Sequence, residues 1–119
     1  MKLRITQALK KAVAAYQDGQ LEEAAKYYRA ILRSQPRHAE ANHNLGMIAA
    51  ELKRLDKALP FLEAALNAKP KVAKYWLSYI DLLIKQGMSE EAAEFLSRAE
   101  KEVISSSKLS ALKRKVKRS

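Results

Sequence analysis

The chain has 119 residues, 48% of them apolar and 30% charged, with three Gly and three Pro, the balance of one ordinary folded domain. It has no Cys, which excludes disulfides and thiolate chemistry, and no apolar run approaches the roughly 18 residues that span a bilayer. The net charge is +10, but residues 108 to 119 hold six Lys or Arg and no acid, leaving +4 for the other 107. Electrostatic attraction to a partner would therefore come mostly from that tail.

The first segment, MKLRITQALKKAVAAY, has the basic start of a secretion signal, but Lys10 and Lys11 interrupt what would be its apolar core. It reads as a mature helix in a cytoplasmic protein. Gly19 suits the left-handed residue that closes a helix, and LEEAAKYYRAILRSQP is a second helix ended by Pro36. From residue 37 the pattern begins again. Ala41, Leu45, Ile48, Ala49 and Leu52 form one apolar stripe, and Ala58, Leu62, Ala65 and Leu66 another. The intervening KRLD leaves room only for a tight turn. Asp56 is the expected N-cap of the next helix, and Pro60 falls near its first turn, where a proline costs least. Residues 71 to 104 give a third pair, with Gly87 at its turn. Lys53 takes that place in the second pair at some strain, or the cap differs there.

These pairs are copies. Pro36 and Pro70 lie 34 residues apart, and the same spacing links Ala24, Ala58 and Ala92, as well as Tyr28, Leu62 and Leu96. The three Ala, with Ala12 and Gly46, lack bulk and let paired helices approach closely. Tyr28, Leu62 and Leu96 are large and fill the space between neighbouring units. One hairpin cannot bury both of its apolar faces, whereas a stack of three can. The third pair lacks a closing Pro. After it, the serines at 105 to 107 offer an N-cap for one more helix, in which Leu109, Leu112 and Val116 share a face and the cations lie elsewhere. That is the pattern of a capping helix, with its Lys and Arg placed favourably at a helix C-terminus.

Chemistry beyond binding finds little support. His38 and His43, with Glu40 nearby, read as solvated surface residues rather than metal ligands. There is no glycine-rich phosphate loop, and Ser105 to Ser107 have no context for a nucleophile. Asp18, Glu22, Glu23, Asp56, Glu90 and Glu91 cluster at the starts of second helices, where they complement the helix dipole. No catalytic residue, metal, cofactor or small-molecule substrate is expected. Trp76 is expected in the core. Tyr75 and Tyr79 share a face that is either inter-repeat packing or an adhesive surface, and Tyr27 and Tyr28 raise the same choice.

The 34-residue helix-turn-helix unit resembles the tetratricopeptide repeat over roughly residues 3 to 104. The second unit carries it best, with Leu45, Gly46, Ala49, Ala58, Leu62, Ala65 and Pro70. The third supplies Trp76, Gly87, Ala92, Leu96 and Ala99, and departs at Ile80, where a small residue is usual, and at Ile104, where Pro is. The first supplies Gly19, Ala24, Tyr28 and Pro36, with Ala8 where a bulky residue is usual. The resemblance implies an all-α, right-handed α-solenoid of three hairpins plus a capping helix, seven helices in one domain over 1–119. Its repeats would fall near 3–36, 37–70 and 71–104, and its capping helix near 106–118.

The resemblance also implies a non-catalytic scaffold whose first helices line a groove for a peptide or partner helix. The groove positions are Thr6, Leu9, Val13, Tyr16 and Gln17, then Glu40, His43, Asn44, Met47 and Glu51, then Lys74, Leu77, Ser78, Asp81 and Lys85. One family variant clamps a C-terminal carboxylate. Asn44 and Lys74 match its pattern, but Leu9, Val13 and Ser78 stand where it needs Lys, Asn and Arg. The apolar Leu9, Val13, Met47 and Leu77 favour a segment with apolar anchors instead. The rival function is binding of RNA or an anionic membrane through Lys113, Arg114, Lys115, Lys117 and Arg118, although no aromatics interleave with these cations. The stretch PKVAKYWLSYIDLLIKQGMSEEA is similar to repeats ahead of catalytic domains in bacterial, glycosyltransferase-like proteins. That similarity implies a fragment, or a stand-alone relative, of such an array. Self-association through an exposed end of the stack is a third expectation.

Overall fold

The computed structural model describes residues 4–103 and 107–118, with side chains defined except at 107–109 and 118. Among the described residues there are seven helices and no strand: α1 (Ile5–Gln17), α2 (Leu21–Ser34), α3 (Ala39–Glu51), α4 (Leu55–Ala68), α5 (Ala73–Lys85), α6 (Ser89–Glu102) and α7 (Ser107–Arg118). They group into two compact units, Met1–Ala68 with α1 to α4 and Lys69–Ser119 with α5 to α7. The helices keep the period closely. First helices begin at residues 5, 39 and 73, second helices at 21, 55 and 89, and α7 begins at 107, one period after α5. The last helix is thus a fourth first helix in register. The expected serine cap falls on residues 105 and 106, outside the described residues, and on Ser107, the first helical residue.

Each hairpin turn is the same helix-end motif. Gly19 and Gly87 have φ +76° and Lys53 has φ +62°. The following amide closes back on the first helix each time: Gln20 N–H to Ala15 O at 2.9 Å, Arg54 to Ala49 at 2.8 Å, and Met88 to Leu83 at 2.9 Å. Lys53 therefore does adopt the left-handed conformation, which costs an L-residue about 1–2 kcal/mol.

The loops between hairpins are also alike. Asn42 Nδ2 donates to Pro36 O at 3.1 Å and to His38 O at 3.0 Å, and Trp76 Nε1, one period later, donates to Pro70 O at 2.7 Å. Two chemically different side chains thus hold the same carbonyl of the repeat.

Three local expectations need correction. Asp56 is not the N-cap of α4. The helix begins at Leu55, the amide of Ala58 bonds Arg54 O at 3.0 Å, and Asp56 sits in the first turn. Its carboxylate still faces the favourable end of the dipole. Pro60 is the sixth residue of α4, in its second turn, and so forgoes the amide bond to Asp56 O. His38 and His43 are not solvated surface groups. His38 caps α3, its Nδ1 accepting the amide of Ala41 at 3.1 Å, and His43 is buried at 6% exposure.

Small residues set the packing. Ala24, Ala58 and Ala92 are all fully buried, and Tyr28, Leu62 and Leu96 are buried one helical turn further on. In the first unit, Ala8, Ala12 and Ala15 of α1 join Ala24, Tyr28 and Ile31 of α2 and Leu45 and Ile48 of α3 in one cluster. Gly46 lies so near α4 that a Cβ would stand 2.7 Å from Leu62 Cδ2. In the second unit Ile80 occupies the corresponding position, fully buried, and α5 and α6 make a sparser contact than α3 and α4. Trp76 is buried, as expected. Tyr75 and Tyr79 are buried too, and the ring of Tyr79 meets Phe95 edge-on at 4.7 Å, so their face is packing rather than an adhesive surface. Among the described residues no helix is long and apolar enough to cross a membrane.

Candidate functional site

The face of α1 and α3 holds most of the expected groove positions. Leu9, Val13 and Tyr16 follow one another at helical spacing along α1, and Glu40, Asn44, Met47 and Glu51 along α3. The two helices are tied together there: the Tyr16 hydroxyl donates to Glu51 Oε1 at 3.2 Å. Leu9, Val13, Tyr16, Glu40, Asn44 and Met47 are half-buried, Glu51, Thr6 and Gln17 are exposed, and His43 is buried. Burial first, and then the Glu51 charge, push the Tyr16 phenol up to about 12.

Beneath this face runs a short polar chain. Asn44 Nδ2 donates to the Tyr28 hydroxyl at 2.9 Å, while its Oδ1 lies 3.2 Å from His43 Nδ1. A carboxamide oxygen only accepts, so the His43 ring donates to it in the tautomer that carries the proton on Nδ1. Burial raises the Tyr28 phenol, and the bond from Asn44 opposes that rise. Asn44 is therefore occupied by its own chain, which weakens the carboxylate-clamp pattern beyond what Leu9, Val13 and Ser78 already do.

In the second unit, Leu77, Ser78 and Asp81 are half-buried on α5, and Lys74 and Lys85 are exposed. The Lys74 ammonium stands 5.6 Å from the ring of Tyr75. Asp81 receives two cations, Lys85 Nζ at 3.1 Å and Lys115 Nζ of α7 at 3.2 Å. Burial pushes its carboxyl up, but the two ammonium groups outweigh burial and hold it below the ordinary value. Lys115, expected among the free tail cations, is thus engaged by the protein itself. Lys113, Arg114 and Lys117 are exposed, and the side chain of Arg118 lies outside the described residues. The Asp81 pair was missed in the sequence, although its 34-residue separation is the repeat period and could have revealed it. Among the described residues no three His or carboxylate groups gather as a metal site. The α1 and α3 face offers half-buried apolar side chains framed by carboxylates, which suits contact and hydrogen bonding.

Two family models, both described as tetratricopeptide repeat, match residues 9–73 and 49–116. Comparison with curated protein sequences finds no match. Among solved structures, the TPR domain of Arabidopsis OM64 is similar at 18% identity and TM-score 0.82, over 96% of this chain and 94% of that one. The TPR2B domain of yeast Sti1, solved as its pHsp70 complex, is similar at 18% identity and TM-score 0.84, over 96% of each chain. These likenesses show the fold: an all-α solenoid of helical hairpins. An O-GlcNAc transferase from Thermobaculum terrenum is similar at 25% identity and TM-score 0.73, over 83% of this chain but only 20% of that one.

Proposed function

From a chain that belongs to the tetratricopeptide repeat family, whose fold is generally a protein-interaction module, we propose a non-catalytic scaffold that holds a peptide or partner helix. The contacts would be made by the first-helix faces. The observation that carries this reading is the face of α1 and α3, where half-buried Leu9, Val13 and Met47 lie beside the Tyr16–Glu51 bond. Leu77 offers a further apolar contact on α5. The partner segment would bring apolar anchors rather than a terminal carboxylate, because the clamp positions are apolar or already engaged. Both units would serve one domain over 1–119.

Affinity capture from the native host, with wild type beside Met47→Arg and Leu77→Glu, tests this. A protein held by wild type and lost from both variants, at unchanged helical circular dichroism, supports the groove. Capture unaffected by either variant removes it. If deletion of residues 113 to 119 instead abolishes a salt-sensitive affinity for RNA or acidic vesicles, the basic tail is the functional element.

A further inference from the structure

We propose that the cleft between α2, α3 and α4 is a second docking site, which takes an acidic peptide segment through one aromatic or leucine-sized anchor. It goes beyond the groove reading and lies elsewhere on the molecule. On α3 the groove face carries Glu40, Asn44, Met47 and Glu51, whereas the cleft is lined by Leu45, Ile48 and Ala49, a stripe turned by roughly a third of a turn on a helix with 3.6 residues per turn. Its volume is about 140 Å³, with Leu45, Ala49 and Leu52 as floor and half-buried Phe61 as wall. An apolar cavity of about 150 Å³ accepts a benzene ring, so the space suits a single side chain.

The rim decides the chemistry. Arg29, Arg54 and Lys57 surround the cleft, and an adjoining hollow of about 280 Å³ shares Arg29, Leu45 and Phe61 and adds Arg33. Glu22 reaches Arg54 at 3.4 Å, with both side chains more than half exposed. Arg29, Arg33 and Lys57 are exposed and make no ion pair among the described residues. Two guanidiniums beside an apolar slot match carboxylates flanking an apolar anchor, since guanidinium binds carboxylate in two-pronged fashion. A nucleic acid would ask instead for a continuous cationic track with several stacking aromatics.

The repeat supplies an internal control. The hollow between α6 and α7 is lined by Ala93, Ser97, Glu100 and Lys113, two periods after Ala25, Arg29, Leu32 and Leu45. The architecture leaves space at both junctions. At the later one Ser replaces Arg29, Glu replaces Leu32, and Lys113 and Lys117 replace Leu45 and Ala49, so the apolar floor flanked by guanidiniums belongs to the first junction.

The test is fluorescence anisotropy on the full chain, with a labelled peptide in which three Glu or Asp flank a central Phe on each side. Its Phe→Ala counterpart should bind at least about tenfold more weakly, and so should wild-type peptide to the Arg29→Glu/Arg33→Glu protein. Lys57→Glu, an independent rim variant, should weaken binding in the same direction. Met47→Arg and deletion of residues 113 to 119 should leave it unchanged, which separates this site from the groove and from the tail. Circular dichroism verifies the fold of each variant. Equal binding of the Ala peptide, or no effect of the rim variants, overturns the proposal. So does displacement of the peptide by single-stranded RNA at equal concentration, or a dimer in light scattering that Arg29→Glu abolishes, which would give the cleft to a second copy.

Discussion

Replacing Gly46 with Ala sets two effects against each other. Ala in a helix interior is favoured over Gly by about 1 kcal/mol. The added Cβ, however, would stand 2.7 Å from Leu62 Cδ2, 2.8 Å from its Cγ and 3.2 Å from Ala58 O. Leu62 is 1% exposed, so it cannot swing into solvent, and the carbonyl belongs to the backbone of α4. Relieving such overpacking costs about 1–3 kcal/mol. The net expectation is a loss of about 1 kcal/mol, or about 4 °C in melting temperature for a chain of this size. Urea and thermal unfolding followed by circular dichroism measure it. The Leu62→Ala background isolates the cause. That change alone should cost about 2–5 kcal/mol by opening a cavity. In its presence Gly46→Ala should become neutral or stabilising, giving a coupling of at least about 1 kcal/mol. If Gly46→Ala stabilises the wild-type chain, or has one effect in both backgrounds, close approach of α3 to α4 is not what requires glycine here.

Lys53→Gly should stabilise by about 0.5–1 kcal/mol, because relief of the left-handed strain exceeds the added entropy of an unfolded glycine; a lower melting temperature would contradict the strain. Tyr16 gives a pH dependence. Its phenol is raised from 10.0 to about 12, so the folded chain holds the proton more tightly than the unfolded one. The stability this provides is fully present below pH 10.0 and is lost as pH rises through about 12. Tyr16→Phe should flatten the stability profile over that window, and Glu51→Gln should lower the Tyr16 midpoint in an ultraviolet phenolate titration. A profile unchanged by Tyr16→Phe would place the effect elsewhere.

The period was legible because helix-end chemistry and small-residue contacts recur at fixed sequence offsets. Gly19, Lys53 and Gly87 occupy one conformation because each must reverse the chain within the same few bonds. The buried Ala24, Ala58 and Ala92 follow from the helical repeat alone, since a stripe at steps of three and four turns inward wherever it lies. Even the unlikely Lys53 could be read, because its neighbours one period away are glycines. The misreadings were local in another sense. Asp56 and Pro60 slipped because the helix starts at Leu55, with Arg54 O accepting the amide of Ala58, so both residues lie further into it than a capping motif suggests.

The pairings between helices were mostly not legible, the repeat spacing of Lys115 and Asp81 being the exception. Nothing in the spacing says that Asn42 and Trp76 hold the same loop carbonyl, that His43 is buried, or that Asn44 answers Tyr28. Lys115 looked like a free cation until α7 folded in register with α5 and brought it to Asp81. The sequence by itself determined the helices, their turns and the thin side chains between them, since these depend on contacts within a few residues. Only the tertiary structure decided which polar groups are already engaged and which apolar and cationic ones stay open. Those outcomes turn on distances of a few ångströms between helices that the chain separates by tens of residues.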